Sequence, residues 1–198
     1  MALKYQYNKT TIQHFKRQLS IREKALPILK NKETALRKEV KELGHHLEEL
    51  RLERKVTDEK LEGYELFWSE FPEIIVLEGL GITQKKVVGV KVPEMGKIRF
   101  RLVDMSWWNL PAWVPAGIKL MEKVITLDLN IKIIKQQVEI LTTARKKTTQ
   151  KVNLYEKVQI PEYEEAILKI KRFLEDKENI SKAAQKIVKK RQEVGVAA

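Results

Sequence analysis

The 198-residue chain contains no cysteine. That excludes disulfides, thiolate nucleophiles and cysteine-bound metals together, and it suits a reducing, intracellular setting. Glycine and proline are scarce, at 8 and 6 residues, and they are unevenly spread. Up to Glu62 the only ones are Pro27 and Gly44, and from Ile118 to Val194 the only one is Pro161. Stretches so poor in breakers permit very long helices. There is no long apolar run either. The longest uncharged stretch, Met105–Ile118, is interrupted by Pro111 and Pro115 and falls short of the ~20 residues of a membrane-spanning helix. The opening residues, Met1-Ala2-Leu3-Lys4-Tyr5, lack the apolar core of a signal peptide. The expectation is a cytoplasmic protein that does not insert in a membrane. Histidine occurs three times, as His14, His45 and His46. Two adjacent histidines point about 100° apart on a helix and cannot share a metal unaided.

What the chain does contain is charge. Lys and Arg outnumber Asp and Glu by 39 to 27, a surplus of +12. Such a surplus favours acidic partners, such as nucleic acid, an anionic membrane or an acidic protein surface. The signs are interspersed rather than blocked, so the plainer reading is the solvated face of a long helix rich in Lys and Glu.

A coiled-coil repeat runs through the first segment. Alternating steps of three and four residues from Ile12 reach Leu19, Leu29, Leu36, Leu43, Leu50 and finally Tyr64, and 12 of the 16 positions visited are apolar. The exceptions are Arg22, Glu33, Arg54 and Thr57. They call for a partner charge, solvent, or a stem laid along the seam with its head in water. A 3.5-residue period held this long implies a left-handed supercoil against another helix. The last segment repeats the pattern from Leu120 through Leu127, Ile134 and Leu141 to Val152 and Tyr155, interrupted by Arg145 and Thr148. Near Pro161 the register slips. It resumes at Tyr163, Ile167, Ile170 and Leu174, and shifts once more before Ile180, Ala184 and Ile187. At 1.5 Å per residue the two helices would measure roughly 80–90 Å and 110 Å. Pro27 and Pro161 each remove a backbone hydrogen bond and are expected to bend their helices.

The fold class expected is therefore mainly α. It is a long two-helix antiparallel left-handed coiled coil interrupted by a small β-hairpin and short-helix insert. Residues 1–64 form the first helix, 65–117 the insert and 118–198 the last helix. If Tyr64 faces Leu120, the final residues overhang the start of the first helix by roughly 35 Å. That end carries Lys182, Lys186, Lys189, Lys190 and Arg191 with no acid between them. Within the insert, Lys86–Val92 and Ile98–Leu102 read as strands of a hairpin at about 85–104, with Pro93-Glu94-Met95-Gly96 as the turn. All four tryptophans lie in the insert. The group Trp107, Trp108 and Trp113 could cap the end of the coil or serve as a docking knob. Either way the insert is expected to stand as a foot at the end opposite the basic overhang.

Chemistry is not legible. Gly96-Lys97 is followed by Ile98 and preceded, five residues earlier, by Lys91, so no phosphate loop forms. Gly79-Leu80-Gly81 lacks the third glycine of a dinucleotide loop. Glu48-Glu49 and Glu164-Glu165 read as ordinary helix-surface charges. No catalytic residue, cofactor or metal site is expected.

Two stretches resemble a known family. Ile28-Leu29-Lys30-Asn31-Lys32 followed by Leu36, and Lys151-Val152-Asn153-Leu154-Tyr155-Glu156 followed by Ile160-Pro161, are similar to patterns of the D subunits of V/A-type rotary ATPases. Gln150-Lys151 stands where that family usually has an arginine pair, and Pro27 falls where its helix is usually unbroken. The resemblance implies a non-catalytic central rotor stalk carrying torque between a catalytic hexamer of A and B subunits and a membrane ring that moves protons or sodium ions. It implies contact with the F subunit beside the coil and with a socket subunit (C/d type) above the ring. Membership also implies a place in the soluble, peripheral sector. On this reading Ile180, Lys182, Ile187, Lys189, Lys190 and Arg191 form a spike inside the hexamer, and the tryptophans dock at the socket.

Rivals fit less well. The γ shaft of the F-type enzymes shares the two terminal helices, but its insert resembles a full α/β domain, against the 55 residues from Gly63 to Gly117 here. A basic coiled-coil module binding nucleic acid would use Arg145-Lys146-Lys147 and Lys189-Lys190-Arg191, without any base-reading motif. A peripheral membrane tether would need a basic helical face opposite the tryptophans, and none is apparent.

Overall fold

Asn8 starts the first helix by capping it. Its side-chain oxygen accepts the Thr11 backbone N–H at 2.7 Å, which satisfies one of the donors a helix start leaves open. In the computed structural model, which describes residues 5–62, 64, 69–103 and 110–196 with side chains as far as Arg191, helix α1 spans Lys9–Leu61. Strands β1 (Ile75–Val87) and β2 (Val90–Leu102) follow, then α2 (Val114–Leu154), a π turn (Tyr155–Gln159) and α3 (Ile160–Val196). The protein is mainly helical, with one two-stranded antiparallel ribbon between its long helices, as the periodicity predicts. Helix α1 remains helical through Pro27. The chain divides into two units, Met1–Asn31 with Thr148–Ala198, and Lys32–Lys147.

In the first unit α1 lies antiparallel to the chain around the π turn. Phe15 is buried with Ala166, Ile167 and Ile170, and Ile12, Leu19, Tyr163 and Leu174 pack around them. Further along α1, Arg22 meets Gln159 and Lys30 meets Glu156, so partner numbers fall as those of α1 rise. Aromatic edges seal this end. Phe15 meets Tyr5 and Tyr163 edge-on at 5.6 and 5.3 Å between ring centroids. Contacts of this kind add about 0.5–1.5 kcal/mol each beyond area burial.

In the second unit Leu36 and Leu141 are fully buried against each other's helix, and Arg54 reaches Asp128. The ribbon departs from the sequence-based expectation in extent and in turn. It runs from Ile75 to Leu102, with Ile75 opposite Leu102 and Val87 opposite Val90. Val88 and Gly89 make the turn, at φ of 50° and 78°. Two successive positive φ values are those of the tight hairpin turn that matches strand twist, and Gly89 accepts one of them without cost. Pro93-Glu94-Met95-Gly96, expected as the turn, lies inside β2, with Pro93, Glu94 and Met95 opposite Gln84, Thr83 and Ile82. Proline is tolerated there because both strands of a two-stranded ribbon are edges. Gly96 has a different purpose. A Cβ on it would stand 2.7 Å from the Gly81 carbonyl oxygen, and the register shifts on both sides of Gly79-Leu80.

The ribbon is not a foot at the end of the coil. Its base packs at Ile74, Val114 and Ile118. Its turn packs at Leu36 and Leu141, where Val92 is buried with them and Val87, Val88 and Val90, like Val40, Ile140 and Ala144, pack around the cluster. Ile118 and Leu141 are about 35 Å apart along a helix, so the ribbon lies lengthwise on the α1–α2 pair. The physical cause is the valine-rich tip. Laid down, each buried valine contributes about 1.5–3 kcal/mol relative to exposure. Gln137 helps, donating its side-chain amide to the Pro93 carbonyl oxygen.

These environments set the cost of truncation. Leu141→Ala removes a side chain with no exposed surface and should cost about 2–5 kcal/mol. Leu154→Ala, 44% exposed, should stay within about 0.5 kcal/mol. Urea unfolding followed by circular dichroism measures both.

Candidate interaction surfaces

The seam is the first structure from which any surface must be built. Every seam position from Ile12 to Leu61 is buried or half-buried, as is every one from Leu120 to Tyr155 and from Tyr163 to Leu174. Leu19, Leu29, Leu43 and Leu50 are half-buried, Leu36 and Leu141 fully buried, and Leu127 and Ile134 are 6% and 8% exposed. These eight residues are thus turned inward to differing degrees, Leu36 and Leu141 also burying Val92 of the ribbon.

The polar exceptions find partners close by. Thr57, 7% exposed, donates its hydroxyl to the Glu53 carbonyl at 2.8 Å. Arg54 donates from Nε to Asp128 across the seam at 2.8 Å and pairs with Asp58 on its own helix. Lys123 meets Glu53 at 3.0 Å. Arg22 donates from Nε to Gln159 at 2.6 Å and from Nη1 to the Gln18 carbonyl and side-chain oxygens at 2.9 and 2.7 Å. Its guanidinium carbon also lies 4.7 Å from the Tyr163 ring centroid and 5.8 Å from that of Tyr155. An arginine at a half-buried seam position is thus met by oxygens and π faces as well as by solvent. Exposed pairs such as Lys30–Glu156 at 2.6 Å add little, typically about 0–1 kcal/mol.

Beyond Leu174 the seam ends. Every residue from Glu175 to Arg191 is exposed, including Ile180 at 70% and Ile187 at 56%. Helix α3 brings Ile180, Lys182, Ile187, Lys189, Lys190 and Arg191 together on one uncovered stretch of helix. Lys182 pairs with Glu178 at 2.9 Å and holds that carboxyl below its ordinary range by hydrogen bond and charge. Lys169 does the same for Glu165. Both acids are exposed, so these pairs support the helix surface and nothing deeper.

At the ribbon's base in the second unit, Trp113 is half-buried. Its ring tilts on Phe71 at 6.0 Å, and Phe71 fills the space that Gly117 leaves, since a Cβ there would come within 2.8 Å of its ring. Trp113 is thereby drawn into the base. Trp107 and Trp108 lie outside the described residues. The ribbon's outer side is basic, with Lys97, Arg99 and Arg101 exposed at alternate positions of β2. Two open grooves flank the ribbon, one of about 680 Å³ touching His46, Lys85 and Gln137, the other of about 670 Å³ lined by Leu61, Phe71 and Met121. Among the described residues no group of three His, Asp or Glu side chains could hold a metal ion.

Missed in the sequence was a second apolar stripe on α2. Ile118, Met121, Ile125, Ile133, Ile140 and Ala144 touch the ribbon or line the grooves beside it. The doubled pairs Ile133-Ile134 and Ile140-Leu141 carried the signal, because a two-helix seam alone needs only one residue of each.

These features define a class: a two-helix coiled-coil protein with a β-ribbon insert, whose seam is filled and whose helical end is bare and basic. The chain belongs to the ATP synthase D-subunit family, whose model matches residues 11–190, the family its sequence resembles. It is 28% identical over 189 residues to the V-type ATP synthase D subunit of Borreliella burgdorferi, covering 94% of each chain. It is 24% identical over 110 residues to the V-type ATP synthase D subunit of Chlamydia pneumoniae, covering 56% of this chain and 53% of that one.

Arg22 offers a direct check of the polar stitches. Arg22→Ala should lower unfolding free energy by about 2 kcal/mol, from the lost cation–π and hydrogen-bonding contacts. Arg22→Lys should recover less than half, since an ammonium cannot span the same acceptors and rings. Chemical denaturation of the three proteins reads both values.

Proposed function

We propose that this protein is the central rotor stalk of a V-type ATP synthase, a non-catalytic subunit that carries torque between a catalytic hexamer of A and B subunits and a membrane ring that moves ions. The observation carrying this reading is the bare end of α3. From Glu175 to Arg191 a helix continues with no residue covered, although Ile180, Ile187 and Val188 are apolar and each more than half exposed. Apolar side chains held out on an uncovered helix need a cavity to enter, and a hexamer's central opening is one. The cations around them suit a lining with acidic character.

The rest of the chain fits a shaft. Within each unit its helices are joined by a filled seam, so twisting one helix there must move the other. The helix surfaces outside the seam are charged and exposed, which favours sliding over fixed adhesion. A single chain inside a threefold ring presents a different face to each of three like sites, and rotary catalysis requires that asymmetry. The F subunit would lie beside the coil, and the socket subunit (C/d type) would meet the ribbon's base, where Trp113 and its neighbours stand. Among the described residues no helix is long and apolar enough to cross a membrane. The stalk role itself gives the protein a cytoplasmic position, peripheral to the membrane within the complex. No direct contact with nucleic acid is part of this role.

Truncation tests the reading. Removing residues 181–198 leaves the seam intact, so the helical content and melting temperature should change little. The reconstituted complex should lose ATP-driven rotation or most of its torque in single-molecule recordings. Full torque and normal assembly without these residues would refute the spike. Affinity purification of the whole chain at moderate salt should recover large A- and B-type subunits, whereas recovery of nucleic acid alone would overturn the stalk reading.

A further inference from the structure

The seam contains one arithmetical irregularity. From Leu120 to Tyr155 it advances by four and three residues in turn, and from Tyr163 to Leu174 it does so again. Between Tyr155 and Tyr163 it advances by eight, one more than a heptad. In an uninterrupted α-helix that extra residue would rotate everything beyond it by about 100°. Tyr163, Ile167 and Ile170 would then leave the interface. They do not leave it: Ile167 is 8% exposed and Ile170 is fully buried, both against Phe15.

The extra residue is absorbed between these points. Residues Tyr155–Gln159 form a π turn, and the Ile160 N–H donates to the Tyr155 carbonyl, five residues back instead of four. Such a turn holds one residue more than an α turn. Pro161 follows at once. In an α-helix its ring would press on the carbonyl four residues earlier, and the widened turn relieves that pressure.

Facing the turn from α1 is Arg22. It hydrogen-bonds Gln159 at the end of the turn, and its guanidinium lies over Tyr155 at the start and Tyr163 one turn beyond. The widened helix is thus gripped at three points by one side chain. A leucine, the usual occupant of such a position, has neither the reach nor a donor for Gln159.

We propose that the π turn at Tyr155–Gln159 is a register adapter: it takes up one inserted residue beside Pro161 so that a single apolar seam continues on both sides, and Arg22 on α1 is its lock. The insertion, the proline and the arginine form one device. Removing a part alone is harmful, and removing matched parts together is not.

Deletion variants of the full chain test this, read as melting temperatures by circular dichroism. Deleting Lys157, an exposed residue within the turn, restores a seven-residue step but leaves Pro161 in a plain α-helix. The melting temperature should fall by roughly 5 °C or more, since a proline inside a helix costs about 3 kcal/mol and each kcal/mol is worth about 2–4 °C in a chain of this size. Adding Pro161→Ala to that deletion should return the value to within about 3 °C of the parent. The control deletes Lys24, an exposed residue of α1, in the same Pro161→Ala background. There Ile12, Phe15 and Leu19 rotate out of the seam with nothing to compensate, and the melting temperature should fall well below both. The Arg22→Ala change should also cost less in the Lys157-deleted, Pro161→Ala protein than in the parent. If Pro161→Ala fails to rescue the Lys157 deletion, or if the Lys24 deletion is tolerated equally well, the turn is not an adapter. If Arg22→Ala costs the same in both backgrounds, Arg22 is not its lock.

Discussion

Helices of this length do not stand alone in water as ordered rods, because helix propensity contributes only tenths of a kcal/mol per residue and tertiary burial supplies most helical stability. The apolar seam, between α1 and α2 in one unit and between α1 and α3 in the other, is that burial. Leu36 and Leu141 at one place, and Phe15 and Ile170 at another, lie within 6% of full burial. Residues far apart in sequence meet because both helices repeat the same 3.5-residue period in opposite directions. Everything else in the protein is arranged so as not to break that seam.

The polar residues in the seam illustrate the constraint. Arg54 crosses to Asp128, and Arg22 to Gln159 and two tyrosine faces. Each cation keeps its stem in the apolar layer and finds acceptors at the edge, so it costs little stability and restricts which residue can stand opposite. A purely leucine seam would slide more easily into another register. The ribbon obeys the same rule from outside. It lies over the seam, with Val92 buried against Leu36 and Leu141 and the other valines of its tip packed around that cluster. Where α3 passes beyond α1's last contacts the constraint lapses, and Ile180 and Ile187 stand exposed.

Much of the fold was legible because heptad periodicity is a local pattern with a single meaning. Leu19, Leu36, Leu127 and Leu141 could be assigned to an interface with no knowledge of what lay opposite. The hairpin was legible only in part. Its valines and alternating basics marked strands, but Pro93-Glu94-Met95-Gly96 carries stronger turn chemistry than Val88-Gly89, and local preference pointed to the wrong place. Packing against α1 and α2 reversed that choice, since a turn at Val88-Gly89 sets Val92 where Leu36 and Leu141 bury it and Val87, Val88 and Val90 where they pack around them. The basic end of α3 was legible as a run of cations, while its bareness could be known only once the end of the seam was located.

The two helices, their antiparallel pairing, the basic end and the absence of recognisable catalytic motifs were all present in the order of residues. Each is written in periodicity or composition, which act through neighbouring residues. Three outcomes came instead from packing: the ribbon lies along the helices, Trp113 is drawn into its base, and the slip before Pro161 is taken up by a π turn under Arg22. Those outcomes depend on surfaces brought together from distant parts of the chain. No local preference contains them, because the side chains that select among the alternatives belong to another element of the fold.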